Sequence, residues 1–365
     1  ASRGFRKRKS CRGSWLRLFR QPICIPARSN LGSMRLLLLL VAAVPLLAQP
    51  PLQFAELRPF RLANGQEIAS CRLAYRTYGA LNADRSNAVL FPTWFTGTTA
   101  QLDGFIGPDR LVDPSRFFVI TVDAPGNGVS CSPSNTGAAL DRLSIADMVA
   151  AQHRLVTETL GIRRLHAVLG ISMGGMQTFE WITAHPDMVR LAIPIIGSPR
   201  LSASDILLWS AELTAIEAMI SAGADPRRIM PAVRMMHEFA LTSPEWLHRN
   251  RSAQEMPAFL KKLEEEAPRG MNPRDYAAQL RAMLGHDVTR RFGGLYEKAG
   301  AAVRARVLVV AAAQDHMVNP LPALEMAAVA GFDVLPLKSH CGHMATRCED
   351  ARIASAVREF LAAEK

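Results

Sequence analysis

An apolar run of strand character, His166-Ala167-Val168-Leu169, enters the pattern Gly170-Ile171-Ser172-Met173-Gly174 and leaves it as a helical stretch, Gln177 to Ala184, before Pro186. A strand that reverses into a helix within so few residues strains the serine backbone. Glycines two positions to either side are then required, because a Cβ there would strike the neighbouring strand or helix. The turn projects the Ser172 hydroxyl away from the sheet. It also aims the Met173 amide, at a helix N-terminus, into the same space, where a developing oxyanion would be favoured. Gly-x-Ser-x-Gly alone is common; a preceding strand and a following helix give it meaning, and both are present here.

The rest of the chain supports that context. From about Gln53, short β-rich runs alternate with helical patterns, which argues for a mostly parallel sheet covered by helices. The expected strands are 72–78, 88–92, 117–123, 166–170, 191–196, 306–311 and 333–337, several of them continuous apolar runs as two-sided burial demands. Ser144 with Asp147 predicts a capping box opening a helix that Gly161 ends. Between about 200 and 300 the strand pattern gives way to helical stretches such as 206–222, 257–266 and 274–284. The expected organisation is a sheet domain in two parts, 50–199 and 303–365, with a helical cap inserted at 200–302.

A serine hydroxyl is a weak nucleophile, so a base must take its proton and a third group must hold that base. The chain order that accompanies this turn is serine, acid, histidine. Asp315 follows the strand 306–311, and His343 follows the strand 333–337 and Gly342, ahead of a helix from Asp350 to Leu361. His340 competes with His343 as the base, and His316 is an incidental neighbour of the acid. After strand 88–92 the loop Thr93-Trp94-Phe95-Thr96-Gly97-Thr98 is placed to give a second oxyanion donor, the Phe95 amide first and Thr96 next. The turn Asp123-Ala124-Pro125-Gly126-Asn127-Gly128 is given no catalytic role.

The formal charge of +11 would suggest a nucleic-acid partner, but nine basic residues from Arg3 to Arg28 stand before residue 34 with no acidic residue among them. The remainder carries only +2, which gives no reason to expect nucleic acid. Residues 1–33 are expected to be an extension upstream of a true start at Met34. Residues 34–48, with Arg35, an apolar core from Leu36 to Leu47 and the small Ala48, are expected to be a secretory signal peptide. That run is short for a membrane span, so the mature protein is expected to be exported without one, or cytoplasmic if the signal is not used; the other reading is a disordered basic tail before an uncleaved membrane anchor. Cys71, Cys131, Cys341 and Cys348 remain, with three pairings open to them. His340-Cys341-Gly342-His343 with Cys348 meets no recognised zinc spacing; neither a metal nor an organic cofactor is expected.

Together these residues resemble the homoserine O-acetyltransferase family of α/β-hydrolase enzymes. The resemblance lies in Tyr78-Gly79-x-Leu81-Asn82, Ser86-Asn87-Ala88-Val89-Leu90, Thr96-Gly97, Ile106-Gly107-Pro108 and Ile145-x-Asp147-Met148-Val149-x-Ala151-Gln152. It continues through Ser172-Met173-Gly174-Gly175-Met176-Gln177 and Ser198-Pro199-Arg200-Leu201-Ser202, and resumes at Asp315 and His343. It implies an α/β-hydrolase fold and a ping-pong transfer of an acyl group from a donor such as acetyl-CoA to Ser172 and then to a hydroxyl acceptor. It also implies Asp315 as acid, His343 as base, substrate contacts at Thr96, Gly97 and Arg234, and a homodimer joined through the cap. The chain departs from the family's Gly-His-Asp pattern with Gly342-His343-Met344, and resembles its acceptor-binding region weakly over 232–251. Two other outcomes therefore stand beside transfer: an exported esterase that passes the acyl group to water, and a scaffold without catalysis.

Overall fold

The computed structural model describes residues 49–267 and 272–363; the expected extension and signal peptide, 1–33 and 34–48, lie outside the described residues. The strands are β1 (Gln53–Leu57), β2 (Phe60–Arg61), β3 (Glu67–Ile68), β4 (Cys71–Tyr78), β5 (Ala88–Pro92), β6 (Phe118–Val122), β7 (Leu165–Ile171), β8 (Val189–Ile195), β9 (Arg306–Ala312) and β10 (Asp333–Leu337). Eight form one sheet in the order β1-β4-β6-β5-β7-β8-β9-β10, and β2 pairs with β3 in a small hairpin. From β6 to β10 all pairing is parallel, and β4 alone runs against the rest.

The helices before the cap are α1 (Thr99–Leu102), α2 (Ile145–Arg154) and α3 (Met173–Ala184). Between β8 and β9, in the segment expected to form a cap, lie α4 (Ala203–Ser221), α5 (Pro226–Leu241), α6 (Pro244–Asn250), α7 (Met256–Glu266), α8 (Pro273–Leu284) and α9 (Tyr296–Ala302). After β9 come α10 (Leu321–Ala330), α11 (Ala345–Cys348) and α12 (Asp350–Ala362). Alternation along β5 shows why the sheet needs cover on both faces. Ala88 and Leu90 enter one apolar core with Met176, Phe179 and Trp181 of α3; Val89 and Phe91 enter the other with Ile353, Val357 and Phe360 of α12.

The chain leaves β5 toward β6 on one side and returns to β7 on the other. The loops at the carboxyl ends of β5 and β7 therefore diverge and leave a crevice, the usual ligand position in an open parallel sheet.

The predicted strands match the observed ones to within two residues, but β1, β2 and β3 were not anticipated. β1 is an edge strand with Phe54 and Glu56 exposed, so it lacks the continuous apolar run of its neighbours. The capping box forms as expected: the Asp147 amide donates to Ser144 Oγ at 3.2 Å and the Ser144 amide to Asp147 Oδ2 at 2.8 Å. The cysteines pair as Cys71–Cys131 and Cys341–Cys348.

A buried amide chain joins α2, α3 and the loop after β5. Trp181 Nε1 donates to Gln152 Oε1 (2.8 Å), Gln152 Nε2 to Gln177 Oε1 (2.6 Å), and Gln177 Nε2 to the Thr93 carbonyl (3.0 Å). Every link is satisfied, so removing one leaves buried partners orphaned. Gln177→Leu is expected to lower unfolding free energy by about 1–3 kcal/mol in urea titration; an unchanged midpoint would refute the network's structural weight.

His185, at the end of α3, stacks on His153 with ring centroids 4.2 Å apart and lies 5.1 Å from Trp181. Burial, then the neighbouring His153 and Arg291, push the His185 imidazole down to about 4. The unfolded chain binds this proton near the ordinary value of about 6.5 and the folded protein does not. Stability is therefore fully present above about 6.5, falls with pH toward 4, and is not lowered further below that by this group. His185→Gln should flatten the Tm–pH curve across that window; a curve parallel to the parent would refute the assignment.

Candidate functional site

Ser172 stands between β7 and α3 with φ 58° and ψ −119°, a conformation that ordinary side chains avoid. Its amide donates to the Ile195 carbonyl at the end of β8 (2.9 Å), which ties the turn to the next strand. The glycines are steric necessities. A Cβ on Gly170 would lie 2.2 Å from the Gly174 carbonyl oxygen, and one on Gly174 would lie 2.8 Å from the Pro92 carbonyl oxygen.

His343 lies in a short 3₁₀ turn, Gly342–Met344, after β10. Its Nε2 is 2.8 Å from Ser172 Oγ and its Nδ1 is 2.7 Å from Asp315 Oδ2. Asp315 Oδ1 accepts the amides of Met317 and Val318, both at 2.9 Å. Because a carboxylate faces Nδ1, that nitrogen carries the ring proton, and Nε2 is left to accept from the serine hydroxyl. All three side chains are buried. Gly342, with φ 63°, lets the turn approach the link between α5 and α6 closely: a Cβ there would sit 2.8 Å from the Ser243 amide nitrogen. His340 does not reach the serine; its carbonyl accepts the Ser243 hydroxyl instead, while His316 is exposed.

Two amides point to a site for negative charge. Among the described residues, neither the Met173 nor the Phe95 amide has an acceptor in the protein. The second choice, Thr96, is corrected by the structure: its amide donates to Gln279 Oε1 of α8 at 2.9 Å and is spent there. Thr96 still lines the cavity above Ser172, but Gly97 does not. Gly97 turns the loop instead, its amide donating to Trp94 and its carbonyl accepting Asn127 Nδ2. A Cβ on Gly97 would lie 2.8 Å from the Trp94 ring. Asp123 anchors the same loop by accepting from Thr99 and Asn127; burial raises its carboxyl.

The cavity measures about 860 Å³ and runs from Ser172 and His343 up between α5, α6 and α7. Its walls are mostly apolar, with Trp94, Phe105, Trp209, Trp246, Phe259 and Met317 among them. Arg234 lines it as well, but is bound to Glu238 one turn along α5. Gln279, Tyr276 and His237 were not anticipated as site residues. They sit in cap helices far along the chain from the loops they touch, with no local motif to mark them.

An aligned serine, imidazole and carboxylate beside two unpaired amides can form and discharge an acyl-enzyme. A family model described as alpha/beta hydrolase fold matches residues 89–345. The chain is 33% identical over 330 residues to the ethyl acetate hydrolase of Pseudomonas veronii, covering 86% of this chain and 95% of that protein. It is 31% identical over 320 residues to the homoserine O-succinyltransferase of Leptothrix cholodnii, covering 75% and 84%. The structure of the acetyl esterase MekB superposes with a TM-score of 0.79 at 30% identity over 86% of this chain and 98% of that one. The chain therefore belongs to the α/β-hydrolase fold family, among relatives that include both homoserine acyltransferases and esterases.

Proposed function

We propose that the protein is a serine carboxyl-ester hydrolase that cleaves short-chain esters, acetates above all, through an acyl-enzyme on Ser172. The observation that carries this reading is the Ser172–His343–Asp315 chain opening into a mostly apolar cavity. Ser172 Oγ attacks the ester carbonyl as His343 Nε2 takes its proton, and the Met173 and Phe95 amides hold the oxyanion. The bond to the alcohol oxygen then breaks and His343 returns the proton to it. Water, deprotonated by the same nitrogen, releases the acid.

Transfer to homoserine shares the first half of this cycle and is kept open by the Leptothrix relative. It fits the cavity less well. Such an acceptor carries an ammonium and a carboxylate, yet Met344 stands after His343 and the Arg234 guanidinium is held by Glu238. Export by residues 34–48 agrees with two disulfides, which persist in oxidising compartments. A homodimer through the cap agrees with Ile206, Leu207 and Ile220 exposed on α4, and sedimentation velocity would decide it. The functional test is acetate release from ethyl acetate, with intact-mass detection of the acyl adduct from p-nitrophenyl acetate. Discharge of the adduct by water supports the hydrolase; discharge chiefly by homoserine would replace it with the transferase, and no adduct would sink both.

A further inference from the structure

A second imidazole lines the same cavity, and a second carboxylate lies behind it. Glu212 on α4 is wholly buried, His237 on α5 is 8% exposed and Tyr276 on α8 is 7% exposed. Tyr276 Oη donates to Glu212 Oε2 at 2.9 Å, and His237 Nδ1 lies 3.3 Å from Tyr276 Oη and 3.6 Å from Glu212 Oε1. Burial, reinforced by the adjacent Glu212, holds the Tyr276 phenol well above its ordinary pKa, so its one proton stays and is given to the carboxylate. His237 Nδ1 therefore meets only oxygen lone pairs, and it carries the ring proton. In the neutral imidazole, Nε2 is then the acceptor. Among the described residues it has no hydrogen-bond partner, nor is it among the atoms sealed from solvent, and the ring lines the cavity that holds Ser172.

The position of this nitrogen is fixed from both sides. The His237 ring lies 5.6 Å from the ring of Phe95, the residue proposed as second oxyanion donor, and Phe95 packs edge-on against Tyr276 at 4.6 Å. The end of α5 abuts Gly342, next to His343. In a wall that is mostly apolar, with Arg234 and Glu238 paired to each other, an acceptor is costly to leave unmatched, and a substrate that brings a donor to it is favoured over one that does not.

We infer that His237 is a specificity-determining residue whose Nε2 accepts a hydrogen bond from a hydroxyl on the alcohol part of the ester. The preferred substrates are then acetates of hydroxylated alcohols, not of plain alkanols. Glu212 and Tyr276 act through His237 as positioning residues. This rests on the reading of Ser172 as the nucleophile of an ester hydrolase.

The test compares kcat/KM for two esters of nearly equal size, 2-hydroxyethyl acetate and propyl acetate, in the full protein. The parent should favour the hydroxylated ester by about threefold to tenfold, the size of one neutral hydrogen bond. In His237→Leu the ratio should fall to about one or below, and in Tyr276→Phe it should fall part of the way. A ratio independent of the amount of folded enzyme is the readout. Should His237→Leu fail to fold because Glu212 loses its neighbour, the double variant Glu212→Gln/His237→Leu carries the same comparison. A parent ratio of one or less, or a ratio unchanged by the His237 substitution, overturns the inference while leaving the hydrolase reading intact. Failure of both esters to react, with no adduct on Ser172, overturns the two together.

Discussion

Ser172→Ala should lose on the order of 10⁴- to 10⁶-fold in kcat/KM for p-nitrophenyl acetate while keeping its fold. The loss is expected because His343 then has no hydroxyl to deprotonate, while the Met173 and Phe95 amides still bind and polarise the ester; that remainder sets the floor. Stability moves differently. Ser172 holds φ 58° and ψ −119°, a conformation costing of order 1–3 kcal/mol for any residue with a Cβ, and alanine bears the same strain. Ser172→Gly removes it. Glycine should therefore be as inactive as alanine but more stable by about 1 kcal/mol, a separation of activity from stability typical of a strained functional turn. Thermal unfolding of the three proteins beside their rates checks both halves. Activity retained within tenfold in either variant would remove Ser172 from the reaction.

Ser172 was legible because its evidence is local: strand, turn and helix are contiguous, and Gly170 and Gly174 are dictated by atoms within a few residues or on the adjacent strand end. β5 was legible to the residue because burial on both faces writes a continuous apolar run into the sequence. The acid and base could be ordered along the chain from the same logic.

Choosing His343 over His340 is a different matter, since both lie in one turn and only the packing of Gly342 against Thr242 and Ser243 turns one ring toward Ser172. The oxyanion loop shows the limit most clearly. The sequence ranks Phe95 ahead of Thr96 without the reason that separates them: Gln279, 183 residues away, takes the Thr96 amide and leaves that of Phe95 free. α5 falls within the region expected to be helical but is not delimited there, because Pro226 and Pro231 interrupt its pattern, although Pro226 opens the helix where an amide is not needed. His237 went unnoticed with it. Cap residues acquire function by meeting loops from the sheet, and no spacing in the chain records that meeting.

Asp315→Asn should lower kcat/KM by about 10⁴-fold with little change in stability. The size follows from how the carboxylate is held. Oδ1 accepts two backbone amides, from Met317 and Val318, and Oδ2 accepts His343 Nδ1. An asparagine there has one oxygen and one NH₂, and two fixed N–H groups compel the oxygen to take the Oδ1 position, since the NH₂ would oppose both donors. The NH₂ then faces Nδ1. That nitrogen must accept, so the ring proton moves to Nε2 and points at Ser172 Oγ, where a base is required. The variant is thus folded, close in shape to the parent, and in the wrong tautomer. Asp315→Ala, which removes the steering amide along with the carboxylate, frees the ring to adopt either tautomer and should be no less active than the asparagine variant despite losing more contacts. Rates for the two substitutions, with unfolding midpoints to verify folding, decide the matter. A loss below tenfold in Asp315→Asn would show that His343 is held by something other than Asp315.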